Sequence, residues 1–396
     1  MKLLVLHRIP YHKVRYELGI DHELHDVTYV GTAAALANLP ADLRCTRVSR
    51  PGVGPVHAEV LACFPQATDF DRVISLSEYE LLDAARVREA WGVPGPALED
   101  VLLVRDKVRM KAAVAAAGIR VPRFAEIGGE ISWSGPTVLK PRSGASSEGV
   151  AIHPSVLDAI RAVPREAQES WELEEYVDGP ILHIDGLVED GEIRVIVASQ
   201  YVGTCLDYAR GKPLGSYQLE TSPELNAWAS RCLSAVRIEQ GSFHLEAILS
   251  PDGLVFLEVA NRVGGADVVD TFELATGVYL PAEELRLIIG EEMKAQPRVP
   301  DLSYGWFVFP GHHLTFRQGR VVGTQAFRRS PQTVRWNELR PDQALPRSIT
   351  YQAVEAPVAG VVRGRTSRET REFLERAFAE VRIMPALLAA EALAAS

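Results

Sequence analysis

The chain is poor in cysteine, has no long apolar run and shows no excess of positive charge, and each deficit removes a class of function. Its four cysteines, Cys45, Cys63, Cys205 and Cys232, are scattered with no CxxC pair. That argues against a zinc site or a disulfide framework and for reduced thiols in the cytoplasm. No stretch approaches the roughly 20 apolar residues of a membrane span, and the opening MKLLVLHRIP is broken by His7-Arg8 before it could act as a secretory signal. The net charge of −10 offers no overall basic field for nucleic acid or an anionic membrane. What is present is an ordinary globular composition over 396 residues, enough for two or three domains with cores of their own.

Strand and helix signals alternate at the start. Residues 2–6 and 72–76 are compact apolar runs, and 80–91 is an amphipathic stretch closed by Gly92. They predict a small parallel α/β layer ending at the turn-rich 92–96 segment. Asp106 then opens an alanine-rich helix that Gly118 closes and Val121-Pro122 terminates. Short strands follow at 137–140, 150–152 and 173–177. Residues 181–188 and 193–198 read as a hairpin about Asp190-Gly191. A helix is expected over 281–289, strands over 306–309 and 319–322, and a final helix after the capping pattern Thr366-Ser-Arg-Glu369. The alanine-rich last residues are expected to fray.

The segment FHLEAILSPDGLVFLEVANR, residues 243–262, carries the most chemistry. Pro251-Asp252-Gly253 reads as a three-residue hairpin loop, so Ser250 pairs with Leu254 and, counting outward, Glu246 faces Glu258. Carboxylates about 5 Å apart repel by roughly 3 kcal/mol at an effective dielectric near 20, so a cation is expected between them. Hard divalent ions, Mg²⁺ above all, take carboxylate oxygens together with substrate phosphates, which makes the pair a candidate metal-nucleotide platform. The alternative is an exposed edge with solvated glutamates, or a slipped register.

Other segments are suggestive in a weaker way. The loop 143–149, SGASSEG, offers backbone N–H donors and small side chains that let the main chain approach phosphates, or is simply a hairpin tip. It matches neither the Walker nor the Rossmann glycine pattern. Lys107 and Lys140 are point charges suited to phosphate oxygens, or solvated lysines. Leu173-Glu-Glu-Tyr-Val177 places acids before a turn, where backbone groups could meet a purine edge.

In series these elements resemble the ATP-grasp superfamily over roughly residues 70–290. The matching positions are Ser77-Glu78, Asp106-Lys107, Lys140-Pro141 with its Gly/Ser loop, Glu174-Glu175-Tyr176-Val177, Glu246, and Glu258 through Arg262. The resemblance implies an N-terminal α/β domain (1–95), a small lid subdomain with its preceding helical segment (96–180) and a large α+β subdomain (181–300). A C-terminal α+β extension (301–396) would follow. It implies ATP and Mg²⁺, two ions with Mn²⁺ as a substitute, and an acyl phosphate that joins a small carboxylate to an amine. Lys107 and Lys140 would meet the α- and β-phosphates, and Ser146, Ser147, Glu148 and Gly149 would cover the β- and γ-phosphates. Glu174, Glu175, Tyr176 and Val177 would line the adenine slot, with His183 and Asp185 on the ribose side. Glu246 and Glu258, with Asn261 as a further candidate, would hold metal. Arg262 would bind the carboxylate or oxyanion beside backbone donors at Gly264-Gly265.

The form E-x-x-x-R followed by Gly265 is similar to the L-amino-acid ligases, which make dipeptides. In place of E-x-N-x-R this chain has Ala260, with Asn261 one residue later, and its loop near 203–220 carries Arg210 and Lys212, candidate contacts to an acidic substrate group. Small-molecule substrates are expected, without nucleic acid or membrane, and a homodimer is the default assembly. Rival readings are ligation to a peptide or protein terminus, and an ATP-binding module without catalysis.

Overall fold

The computed structural model describes residues 1–65, 69–145 and 147–386; the expected fraying of the last residues falls outside them. Strand Lys2–Leu6 (β1) is buried from Leu3 onward on both faces, as an inner parallel strand must be. With Asp26–Gly31 (β2), Thr46–Ser49 (β3) and Arg72–Ile74 (β4) it forms a parallel sheet in the order β3-β2-β1-β4. The helix Leu81–Trp91 ends where Gly92 turns left-handed at φ 67°. A helix that the sequence reading does not separate, Leu98–Arg105, leads directly into Lys107–Ala116. Asp106 caps the second helix through the N–H groups of Val108 and Arg109.

The segment expected to be the lid forms a separate antiparallel sheet of Phe124–Glu126 (β5), Thr137–Pro141 (β6), Ala151–His153 (β7) and Trp171–Glu175 (β8), in the order β5-β8-β6-β7. The strand expected over 173–177 lies two residues earlier, because β8 pairs with β5 only as far as Glu174 and with β6 only as far as Glu175. Ala125, Trp133, Leu139, Ala159 and Leu173 fill its core.

The rest builds one eight-stranded antiparallel sheet, β13-β12-β9-β10-β11-β14-β17-β16. Its strands are Ile181–Glu189 (β9), Glu192–Val202 (β10), Leu214–Gln218 (β11), Gly241–Ser250 (β12), Gly253–Ala260 (β13) and Ser303–Phe309 (β14). A small separate pair consists of Gly319–Val322 (β15) and, at the far end of the chain, Arg382–Pro385 (β18), while Thr333–Glu338 (β16) and Val358–Gly364 (β17) complete the large sheet. Strands from beyond residue 300 therefore continue the same sheet as β9 to β13, so the boundary expected at 300/301 cuts through a hydrogen-bonded unit instead of setting off an extension. Helix Ser367–Glu380 packs on this sheet, capped by Thr366 Oγ1 accepting from the Glu369 N–H at 3.2 Å. No helix among the described residues is long and apolar enough to cross a membrane.

Both expected hairpins form, one by an altered route. Asp190 and Gly191 take φ of 53° and 76° between paired Glu189 and Glu192, the two positive values of a type I′ turn. At the β12–β13 turn the loop is two residues, Pro251-Asp252, because Ser250 pairs with Gly253 rather than Leu254. That one-residue slip would set Glu246 opposite Leu257. A β-bulge at Leu257 restores the count, and Glu246 faces Glu258 after all.

Candidate active site

Residues directly opposite in a ladder share a face, so the register places the site on one side of the large sheet. Glu258, Glu246 and His183 form one row, Ala260, His244 and Asp185 the next. Tyr201, Ser216 and Trp306 continue that face across β10, β11 and β14. Glu246 accepts from the Tyr201 hydroxyl at 2.8 Å and lies 3.6 Å from His244 Nε2. Glu258 lies 3.4 Å from Lys107 Nζ. Burial opposes charge on Glu258, but Lys107, Lys140 and His244 outweigh it and hold the carboxyl down at about 2. It is thus a carboxylate at neutral pH.

Two cavities meet at this pair. The larger, about 280 Å³, runs between lid and large sheet, with Lys107, Lys140, Ser147 and Glu148 at one part of its wall and Glu175, Tyr176 and Val177 at another. The smaller, about 110 Å³, is bounded by Arg105, Arg262, Gly265, Tyr201 and Trp306. Glu246, Glu258 and Lys107 border both. Lys107 also donates to the Gly144 carbonyl at 3.0 Å, tying its helix to the lid loop.

Lys140 lies 2.7 Å from Glu174, inside a buried quartet the sequence reading missed. Lys111 Nζ donates to both oxygens of Glu172, at 2.7 and 2.8 Å, and also to Glu174. Burial would raise both acids; Lys111 and Lys140 overcome it at Glu174, which is lowered, while Glu172 is pushed up. A signal was present: Lys111 follows Lys107 by one helical turn, and Glu172 shares a strand face with Glu174. Glu174 does reach the large cavity, but with its charge already matched. Glu175 is held by the backbone N–H and the Nε of Arg123, at 2.9 and 2.6 Å.

Arg262 donates to Glu78 at 2.5 Å, and Arg105, from the helix not separated in the sequence, pairs with the other Glu78 oxygen. Two guanidiniums and one carboxylate thus end the small cavity with a net positive charge.

Several expectations need correction. His183 and Asp185 do share a face, but they are 1% and 2% exposed and border neither cavity, so they are not ribose contacts. They form a relay: His183 bonds Asp185 at 2.6 Å and Ser216 at 2.6 Å, and His244 bonds the other Asp185 oxygen at 2.7 Å. The relay fixes His244 beside Glu246, and Asp185 and Glu246 raise its imidazole to about 9 against the effect of burial. His183, Asp185 and His244 bring ligand-type atoms within 4.8 Å of one another, yet their mutual hydrogen bonds and that of His183 to Ser216 already engage them.

Asn261 turns from the Glu246/Glu258 pair and donates to the Gln240 and Ser242 carbonyls at 3.1 and 2.9 Å, since the alternation of β13 carried one residue on puts it on the other face. Gly149 packs against Pro141 and Trp171 at φ 74°, as a turn glycine and not a cavity wall. Ser146 lies outside the described residues. Arg210 borders the larger cavity rather than the one beside Arg262, and Lys212 is tied to Asp207 at 2.9 Å on the surface, away from both.

No family model matches the sequence. Over 271 residues the chain is 24% identical to an L-arginine-specific L-amino acid ligase of Bacillus subtilis, a match spanning 63% of this chain and 65% of that protein. It is 27% identical over 252 residues to the uncharacterized protein y4rH of Sinorhizobium fredii, spanning 58% and 51%. The chain thus matches less than two thirds of the length of these relatives. Among solved structures, an L-amino acid ligase from Bacillus licheniformis superposes with a TM-score of 0.72 at 20% identity, over 97% of this chain and 98% of the other. N5-carboxyaminoimidazole ribonucleotide synthetase from Thermotoga maritima gives 0.67 at 13% identity, over 97% and 99%.

Proposed function

The chain has the ATP-grasp fold, and from that premise we propose that it is an ATP-dependent ligase joining a small carboxylate, an amino acid or a derivative, to an amine through an acyl phosphate. The observation that carries this reading is the acid pair at the junction of two cavities, with lysines toward one and Arg262 toward the other. The larger cavity suits a nucleotide: Glu175, Tyr176 and Val177 flank the base, while Lys107, Lys140 and the Ser147–Glu148 backbone face the phosphates.

Glu246 and Glu258 fit a hard divalent cation, being carboxylates that face each other in the ladder, 14% and 34% exposed, at the border of both cavities. Mg²⁺ held there, with Mn²⁺ as a substitute, would neutralise phosphate charge during γ-phosphoryl transfer. The protein's own part is positioning. Arg262 orients the acid so that its oxygen attacks the γ-phosphorus and ADP leaves. The amine nitrogen then attacks the acyl carbon, the C–O bond to phosphate breaks, and the amine proton passes to solvent. Arg262 and the backbone at Gly265, both on the wall of the small cavity, would stabilise the tetrahedral oxyanion. Arg105 and Arg262, both held by Glu78, offer the carboxylate of the acid a net positive end.

The test is ADP and phosphate release from purified protein with ATP, Mg²⁺ and pairs drawn from a panel of amino acids and amines. Turnover that requires a pair supports the reading; ATP binding without turnover across all carboxylates ends it.

A further inference from the structure

Part of the small cavity is built by a strand that the nucleotide chemistry does not use. β14 enters the large sheet between β11 and β17 and sets Trp306 opposite Ser216 on one side and Val361 on the other. The side chain is 3% exposed and borders the cavity that holds Arg262. Its ring meets Tyr201 edge-on, with centroids 6.3 Å apart. Among the described residues its indole Nε1 has no hydrogen-bond partner. Buried indole N–H groups ordinarily find an acceptor, and one left without a partner costs free energy that an incoming ligand atom can recover.

The surroundings narrow the chemistry of that atom. Trp306 packs in an apolar cluster with Tyr201, Leu214, Val268 and Val361. The Tyr201 hydroxyl is already given to Glu246. A charged group placed against such a cluster loses its hydration and finds no charged side chain within the cluster, the guanidiniums lying with Glu78 on another part of the wall, whereas a neutral oxygen needs only the one donor on offer.

We propose that Trp306 is a specificity-determining residue of the acid pocket, its indole N–H donating to a neutral oxygen on the substrate's side chain. Small amino acids bearing a hydroxyl or carboxamide are therefore selected over hydrocarbon isosteres. This rests on the ligase reading, and the test separates the two.

The full chain is given ATP, Mg²⁺ and hydroxylamine as a common amine, with near-isosteric acids in pairs: L-threonine against L-valine, and L-asparagine against L-leucine. Hydroxamate formation should favour the oxygen-bearing member of at least one pair by about 10-fold in kcat/KM, and Trp306→Phe should bring that ratio within about two-fold while ATP affinity by calorimetry is preserved. Equal rates in the parent chain, or a preference that survives in the variant, overturns the proposal. In protein labelled with ¹⁵N at tryptophan, the indole resonance missing from Trp306→Phe should shift when the favoured acid is added. A resonance unmoved by all four acids overturns the proposal even if turnover is seen. A resonance that moves while neither hydroxamate nor ADP forms upholds the Trp306 contact and removes the ligase reading instead.

Discussion

Glu172 and Glu174 on β8, and Glu246 and Glu258 on β12 and β13, are both pairs of carboxylates inside the protein, and they differ in what closes them. The β8 pair is at most 2% exposed and is met by Lys111 and Lys140 at hydrogen-bonding distance. The hairpin pair is open to two cavities, with Lys107 at 3.4 Å from Glu258, the Tyr201 hydroxyl on Glu246, and the His244 imidazolium 3.6 Å from Glu246 but shared with Asp185. Matched charge makes the first a structural clamp between lid and helix. The second keeps unspent negative charge where a ligand can reach it, which is the condition for holding a cation.

The sharpest way to break this contrast is to neutralise one member of each pair. Glu258→Gln should lower ligase turnover by about 10³-fold or more while the thermal midpoint stays within about 3 °C, read by ADP release and calorimetry. A large drop in midpoint would move the hairpin pair into the structural class. Lys111→Met should do the reverse, costing about 3–5 kcal/mol in urea unfolding because two buried carboxylates are left to one lysine. A loss under about 1 kcal/mol would show that the quartet is not a clamp.

Glu284 offers an intermediate case, a 5% exposed carboxyl raised to about 8 from its ordinary 4.5 by burial, with only partial relief from Ser242 and Arg262. A carboxyl whose folded value is raised binds its proton more tightly in the native state, so its contribution is complete below 4.5 and fades as pH climbs toward 8. Glu284→Gln should accordingly gain on the parent chain by up to about 1.4 kcal/mol per pH unit across that window and show no relative trend below it. Urea midpoints measured from pH 4 to 9 decide it, and parallel curves would refute it. The smallest effect is expected on the surface. Lys212→Ala loses only its exposed pair with Asp207, so stability should change by less than about 1 kcal/mol and KM should hold; a large rise in KM would restore Lys212 as a substrate contact.

Much of this was legible in the chain, sometimes for compensating reasons. The facing of Glu246 and Glu258 was read from a loop one residue too long, and a one-residue bulge at Leu257 cancelled the error. Local periodicity placed His183 and Asp185 on one face, but whether that part of the face opens into a cavity or is covered depends on packing that strand alternation does not encode. Lys111 and Glu172 are 61 positions apart and meet only when the helix Lys107–Ala116 packs near the lid. Arg105 was hidden in a helical segment that the sequence pattern does not divide, though its partner Glu78 had been marked. Trp306 gave no local signal, since its role depends on β14 joining a sheet begun more than a hundred residues earlier.

That shared sheet bears on how such a chain can be altered. Shortening it at residue 300 would strip β14, β17 and β16, leave β11 as a bare edge open to pairing with other molecules, and remove the Trp306 side of the acid pocket while sparing both glutamates. Exchanging the last quarter between relatives, with its strand register kept, would by the same logic retune which acid is chosen and leave phosphate handling to the first 300 residues.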